Sequence, residues 1–171
     1  MPAATLTGMA MELQTLAEPA SLPPGLTIST VKDGESLETW CQLMTSVSEF
    51  PDFAAEAWLD MYRGMEIVDD PLWSLYLGSF QGKPVSTPAL FLGAGVAGIH
   101  GVITLPDYRG KGIATAIATA MTYRPLLAAR EQGYRMGVLF SSEVAIDIYR
   151  KIGFQEYGEG DIYMWQPDED A

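Results

Sequence analysis

The stretch TLPDYRGKGIAT, residues 104–115, is built to handle an anion. Four successive positions, Arg109, Gly110, Lys111 and Gly112, alternate cations with glycines between an apolar strand-like segment and an alanine-rich helical one. Glycine lets main chain approach a ligand closely. The first turn of a helix adds N–H groups with no intrahelical partner, at the positive end of the helix dipole. Together they suit a pyrophosphate, wrapped by main-chain donors from Arg109 through Gly112, Ile113 and Ala114 to Thr115, with Arg109 and Lys111 adding charge. A plain strand-to-helix turn uses glycines in the same way, so the loop alone leaves both readings open. Two other phosphate patterns do not fit. The GxxxxGK spacing is absent, and only Gly110 and Gly112 match a GxGxxG fingerprint because position 115 is Thr.

A second segment, SEVAIDIYRKIGF at residues 142–154, adds weight to the first reading. Arg109, Gly112 and Ala114 meet the pattern Q/R-x-x-G-x-G/A. Ala145, Tyr149, Gly153 and Phe154 meet N-x-x-A-x-x-x-Y-x-x-x-G-F, with Ser142 standing where Asn is usual. In this order, with a helix and a strand between them, the two segments resemble the GNAT superfamily of acyl-CoA-dependent N-acyltransferases. The resemblance covers residues 72–165 well and the more amino-terminal helices only by order of elements.

The resemblance implies acetyl-CoA as cosubstrate and transfer of its acetyl group to a primary amine, small molecule or peptide, by direct attack in a ternary complex. Two alternatives stay open: a non-catalytic acyl-CoA-binding module, and a transferase using a longer acyl-CoA. Val102, Ile103 and Thr104 match positions whose backbone pairs with the pantetheine arm and polarises the thioester carbonyl. Ser142 is carried over as a cofactor contact and as a helix N-cap. Tyr149 falls at the family's general acid, where a phenol of reference pKa about 10 can donate to a departing thiolate. No metal site is assigned. Members of the family often dimerise, which admits a homodimer here.

The attacking amine must be neutral. For an amine of pKa about 10, only about one molecule in a thousand is neutral at pH 7, a handicap near ~4 kcal/mol, so a base or a water chain helps. The sole histidine, His100, lies on the strand leading to the loop, and simple alternation puts it on the face of Val102 and Thr104. Some relatives carry a histidine in this region; others carry a glutamate two residues earlier, where this chain has Gly98. Glu49, Asp69 and Asp70 are secondary candidates for ordering water or meeting a cation. Phe50, Phe53, Trp58 and Tyr62 fall where the family's variable helices line the acceptor pocket, though core packing explains such residues equally well.

Composition sets outer bounds. The 171 residues suit one domain with a real core, and a hydrophobic fraction of 48% excludes wholesale disorder. With 22 acidic and 10 basic residues the net charge is −12, which disfavours nucleic acid and anionic membranes and favours a cationic partner. Five of the ten cations, Arg109, Lys111, Arg124, Arg150 and Lys151, nevertheless lie in or just after the two motif segments. One cysteine, Cys41, rules out an internal disulfide, and with neither a signal sequence nor a long apolar run a cytoplasmic location is expected.

The elements that must position these residues follow from periodicity. Residues 1–25, ending in Leu22-Pro23-Pro24-Gly25, read as a leader or linker with a short helical turn near 9–16, and residues 26–171 as the GNAT domain. A strand from Leu26 to Lys32 precedes a helix capped by Asp33 or Ser36, and a second helix spans about 53–64. Three strands near 72–80, 84–92 and 96–104 form an antiparallel meander. A long helix spans about 109–132, with a kink expected at Pro125. A strand at 134–140, a helix to Ile152 capped by Ser141 or Ser142 and closed by Gly153, and a hairpin of 154–157 with 162–165 complete the chain. The order is βααβββαβαββ, an α/β fold; the resemblance makes it a mixed, mostly antiparallel sheet of six to seven strands flanked by about four helices.

Overall fold

The computed structural model describes residues 4–17, 21–47, 50–51, 53–108 and 112–163. Seven strands form one sheet: β1 (Ala4–Glu12), β2 (Leu26–Thr30), β3 (Trp73–Phe80), β4 (Lys83–Gly93), β5 (Val96–Thr104), β6 (Met136–Ser141) and β7 (Gln155–Ile162). Their spatial order is β2-β3-β4-β5-β6-β1-β7. Only β5 and β6 run parallel. Helices α1 (Gly34–Ser46) and α2 (Ala54–Gly64) cover one face, packing Leu37, Trp40, Cys41 and Leu59 against Leu75, Leu77 and Ala89. Helices α3 (Ile113–Glu131) and α4 (Ile146–Ile152) cover the other, packing Ile117, Met121, Leu126, Tyr149 and Ile152 against Leu90, Leu92, Ala97, Ile99 and Leu139. The mixed α/β sheet with four helices is the architecture the sequence implies.

Local chemistry sets the element ends. The Asp33 carboxylate accepts from the Ser36 N–H at 2.8 Å and the Ser36 hydroxyl accepts from the Asp33 N–H, a complete capping box for α1. Gly153 closes α4 in the left-handed region at φ 119°. Helix α3 runs on through the buried Pro125, whose missing N–H removes one bond without ending the helix.

Three expectations need correcting. Residues 4–12 are not leader: they form β1, which pairs antiparallel with both β6 and β7 and joins the sheet's two last strands. Met9, Met11 and Leu13 point into the α3/α4 core, while Gly8 and Ala10 alternate with them on the other face. The turn expected near 9–16 shrinks to a 3₁₀ turn at Leu13–Thr15. The terminal hairpin is also absent among the described residues, because Gln155–Ile162 is one strand through Gly158 and Gly160. Gly160 makes room for a ring: a Cβ there would meet Phe140 Cε1 at 2.9 Å. Finally, Ser142 precedes a 3₁₀ turn (Glu143–Ala145) and its side chain makes no capping bond, while the Ser141 hydroxyl donates to Ser142 O at 2.9 Å.

Candidate active site

Pro88 sits in β4, flanked by β3 and β5, and has no N–H to give to the ladder. Strand β5 answers with a bulge. Thr87 pairs with Ile103, but Ala89 pairs with His100, so Gly101 and Val102 together face Pro88. Gly101 takes φ +58°, and its carbonyl accepts from the Thr87 hydroxyl at 3.0 Å.

The bulge overturns the alternation expected for this strand. Val102 packs into the α3/α4 core, whereas His100, opposite Ala89, lies on the α1/α2 face beside Ile103. His100 and Val102 are therefore on opposite faces of the sheet. The imidazole stacks obliquely against Trp73, with ring centroids 6.0 Å apart. It also leans over Gly98, where a Cβ would lie 2.8 Å from Nε2. Partial burial lowers its pKa below the usual 6.5, so the ring is neutral at physiological pH and can accept a proton.

The same strand parts from its other neighbour. β5 and β6 pair from Val96↔Met136 to Ile99↔Leu139, and their ladder runs no further along β5. The Leu105 N–H donates to Val85 O at 2.9 Å, towards β4. Alternation then turns the main-chain groups of Ile103 to β4 and those of Val102 to the gap. Thr104 is buried, its hydroxyl 3.3 Å from that of Ser86, which also donates to Ile103 O. Of the three strand residues singled out from sequence, Val102 thus offers main chain to the gap, and Ile103 spends its own on the sheet.

Past the end of β5 the chain makes a 3₁₀ turn (Pro106–Tyr108) and reaches Gly112, the residue before α3. Arg109, Gly110 and Lys111 lie outside the described residues. Gly112 has φ +73°, and a Cβ there would meet none of the described residues within 4 Å. The N–H groups of Ile113, Ala114 and Thr115 belong to the first turn, whose donors have no intrahelical partner, and no side chain caps them. A helix start of this kind, its first-turn donors uncapped, has the chemistry to accept an anion.

Tyr149 stands on the α3/α4 side, with only 7% of its surface exposed, edge-on to Phe154 at a centroid distance of 6.0 Å. Burial pushes its phenol up to about 12. No hydrogen bond holds its hydroxyl, and among the described residues no fully buried side-chain oxygen or nitrogen goes without a partner, so the hydroxyl keeps access to open space. Ser142, exposed at the end of β6, is near the gap but is tied to it by no side-chain bond. Of the aromatic residues considered for the acceptor side, Trp58 and Tyr62 pack on the α1/α2 core, whereas Phe50 and Phe53 are exposed. Sequence reasoning passed over two contributors: Trp73, which flanks His100, and Met44, which sits against Gly101. Pro88, a proline inside a central strand, was the available signal for the bulge.

Comparison with known proteins agrees with this geometry. Residues 71–156 match the family described as the acetyltransferase (GNAT) domain. The chain therefore belongs to the GNAT acetyltransferase family. The fold is shared with a GCN5-related N-acetyltransferase from Sphaerobacter thermophilus (24% identity, TM-score 0.70, 94% of this chain and 51% of that one). A GCN5-related N-acetyltransferase from Kribbella flavida is similar as well (22%, TM-score 0.64, 94% and 58%). So is a predicted acetyltransferase with acetyl-CoA from Clostridium acetobutylicum (19%, TM-score 0.60, 77% and 91%). The chain spans only about half to three-fifths of the first two. No curated protein matches it. Among the described residues no helix is long and apolar enough to cross a membrane.

Proposed function

We propose that the protein transfers an acetyl group from acetyl-CoA to a primary amine by direct attack within a ternary complex. The observation that carries this reading is the parting of β5 and β6 after Ile99 and Leu139, with His100 on one face of the sheet and Tyr149 on the other. Acetyl-CoA, when bound, supplies the thioester. Gly112 to Thr115 would hold its diphosphate by main-chain N–H groups, and Val102 would pair with its pantetheine arm through the gap. The open main chain at Gly112 fits such a ligand, since among the described residues nothing comes within 4 Å of where its Cβ would stand.

The two side chains divide the proton work. The amine loses its first proton to solvent at a cost of ~4 kcal/mol when its pKa is near 10; His100, neutral because its pKa is lowered, accepts from the α1/α2 face the proton that the nitrogen sheds as it bonds to the thioester carbonyl carbon. Its ring fills the space above Gly98, the position at which some relatives carry a glutamate, so one base replaces the other in nearly the same place. Tyr149 keeps its proton throughout the physiological range. Full transfer from a phenol at about 12 to a thiolate of pKa ~8.5 is uphill by roughly 5 kcal/mol, so its task is to hydrogen-bond the emerging sulfur anion rather than to surrender the proton early. The net charge of −12 favours a cationic acceptor.

Release of free thiol from acetyl-CoA, followed across a panel of primary amines, tests this. Turnover with one or more amines is expected. Acetyl-CoA binding without turnover on any amine would point instead to a non-catalytic acyl-CoA-binding module, and turnover only with longer chains to a different acyl donor.

A further inference from the structure

A cavity of about 670 Å³ lies along the outer side of α3, bounded by Leu22 and Pro23, by Ile28 of β2 and by Lys151 and Ile152 of α4. It follows the helix from Ala116 to Leu127, about 16 Å at the usual helical rise. The inward positions Ile117, Met121, Leu126 and Ala129 are fully buried against the sheet, so the cavity belongs to the opposite side of the helix. Its roof exists because β2 is one edge of the sheet while β1 lies near the other, between β6 and β7, so the segment joining them has to pass α3. Leu22 and Pro23 of that crossing face Ala120 and Leu127, making a mostly apolar chamber of the size that holds small molecules. Leu22 remains 47% exposed, an apolar side chain over an apolar space.

Two charged side chains, and no others among the described residues, line the chamber: Arg124 of α3 and Lys151 of α4. Neither is in a salt bridge, although the chain carries 22 acids. Two unpaired cations beside an apolar chamber, in a strongly acidic protein, are the complement of one kind of molecule. We propose that this cavity binds an amphipathic carboxylate, its acyl or aryl body against Leu22, Pro23, Ala120 and Leu127 and its anionic head between Arg124 and Lys151. The site is separate from the acyl-transfer centre and independent of the proposed reaction.

Calorimetric titration of the full chain with decanoate tests this, with decyltrimethylammonium as the probe of equal length and opposite charge. Decanoate is expected to bind and the ammonium compound to bind at least about tenfold more weakly, the value of one charge-assisted hydrogen bond. The double variant Arg124→Gln/Lys151→Gln, at two exposed positions that the fold does not need, should weaken decanoate by about tenfold or more. Ala120→Phe should abolish binding by filling the chamber, its circular dichroism confirming that the chain still folds. Saturating coenzyme A should leave the decanoate affinity unchanged. No decanoate binding, equal binding of the two probes, an unaffected double variant, or competitive displacement by coenzyme A would each overturn the proposal, the last by making the chamber an arm of the cofactor site.

Discussion

The His100 ring lies over Gly98, its Nε2 2.8 Å from the point a Cβ would occupy. The contact is possible only because the bulge at Gly101 and Val102 turns His100 to the α1/α2 face. A methyl group at Gly98 would push the imidazole off its seat against Trp73. The base is thus placed by two glycines, one missing its side chain and one at positive φ.

His100 should govern the acid side of the pH profile. With its pKa below 6.5, kcat/KM for an amine falls as the pH drops through that lowered value and the imidazole takes up a proton. In His100→Gln that inflection should vanish and kcat/KM at neutral pH should drop about 100-fold. A wild-type inflection persisting unchanged in His100→Gln would assign it to another group.

Tyr149→Phe should lower kcat by about 100-fold while leaving the Kd for coenzyme A within about twofold. The hydroxyl makes no hydrogen bond in the fold, so thermal stability should hardly change. Because burial lifts the phenol to about 12, no alkaline loss of activity from Tyr149 is expected below about pH 11.

Gly112→Ala isolates backbone strain. A Cβ there clashes with nothing, but φ +73° costs a non-glycine residue about 1 kcal/mol or more. Calorimetry should show coenzyme A binding weakened by about fivefold or more as the loop relaxes away from its geometry, with Tm nearly unchanged. Lys111→Ala should cost less, because the main chain does most of the holding.

Met9→Ala should destabilise the fold by about 2–4 kcal/mol, since the side chain is 2% exposed inside the α3/α4 core. Denaturant unfolding measures this. A loss below about 0.5 kcal/mol would mean that β1 contributes little to the sheet.

The meander, the long alanine-rich helix and both motif segments were readable because each carries a strong period or a fixed glycine. Strand β1 was not, because Gly8 and Ala10 dilute the alternation of Met9, Met11 and Leu13, and its partners lie more than a hundred residues away. Gly158 and Gly160 read as a turn because a sequence does not show the Phe140 ring that needs the missing side chain of Gly160. The face of His100 went astray for a related reason. Counting by twos assumes an unbroken ladder, and Pro88 on the neighbouring strand breaks it.

The central claim is that acyl-CoA threads the gap between β5 and β6 with its diphosphate on the first turn of α3. A crystal structure of the protein with coenzyme A tests it most directly. The account predicts diphosphate oxygens about 3 Å from the N–H groups of Ile113 and Ala114, and a pantetheine amide bonded to the main chain of Val102. A coenzyme bound elsewhere, with the gap closed or filled by side chains, would contradict it.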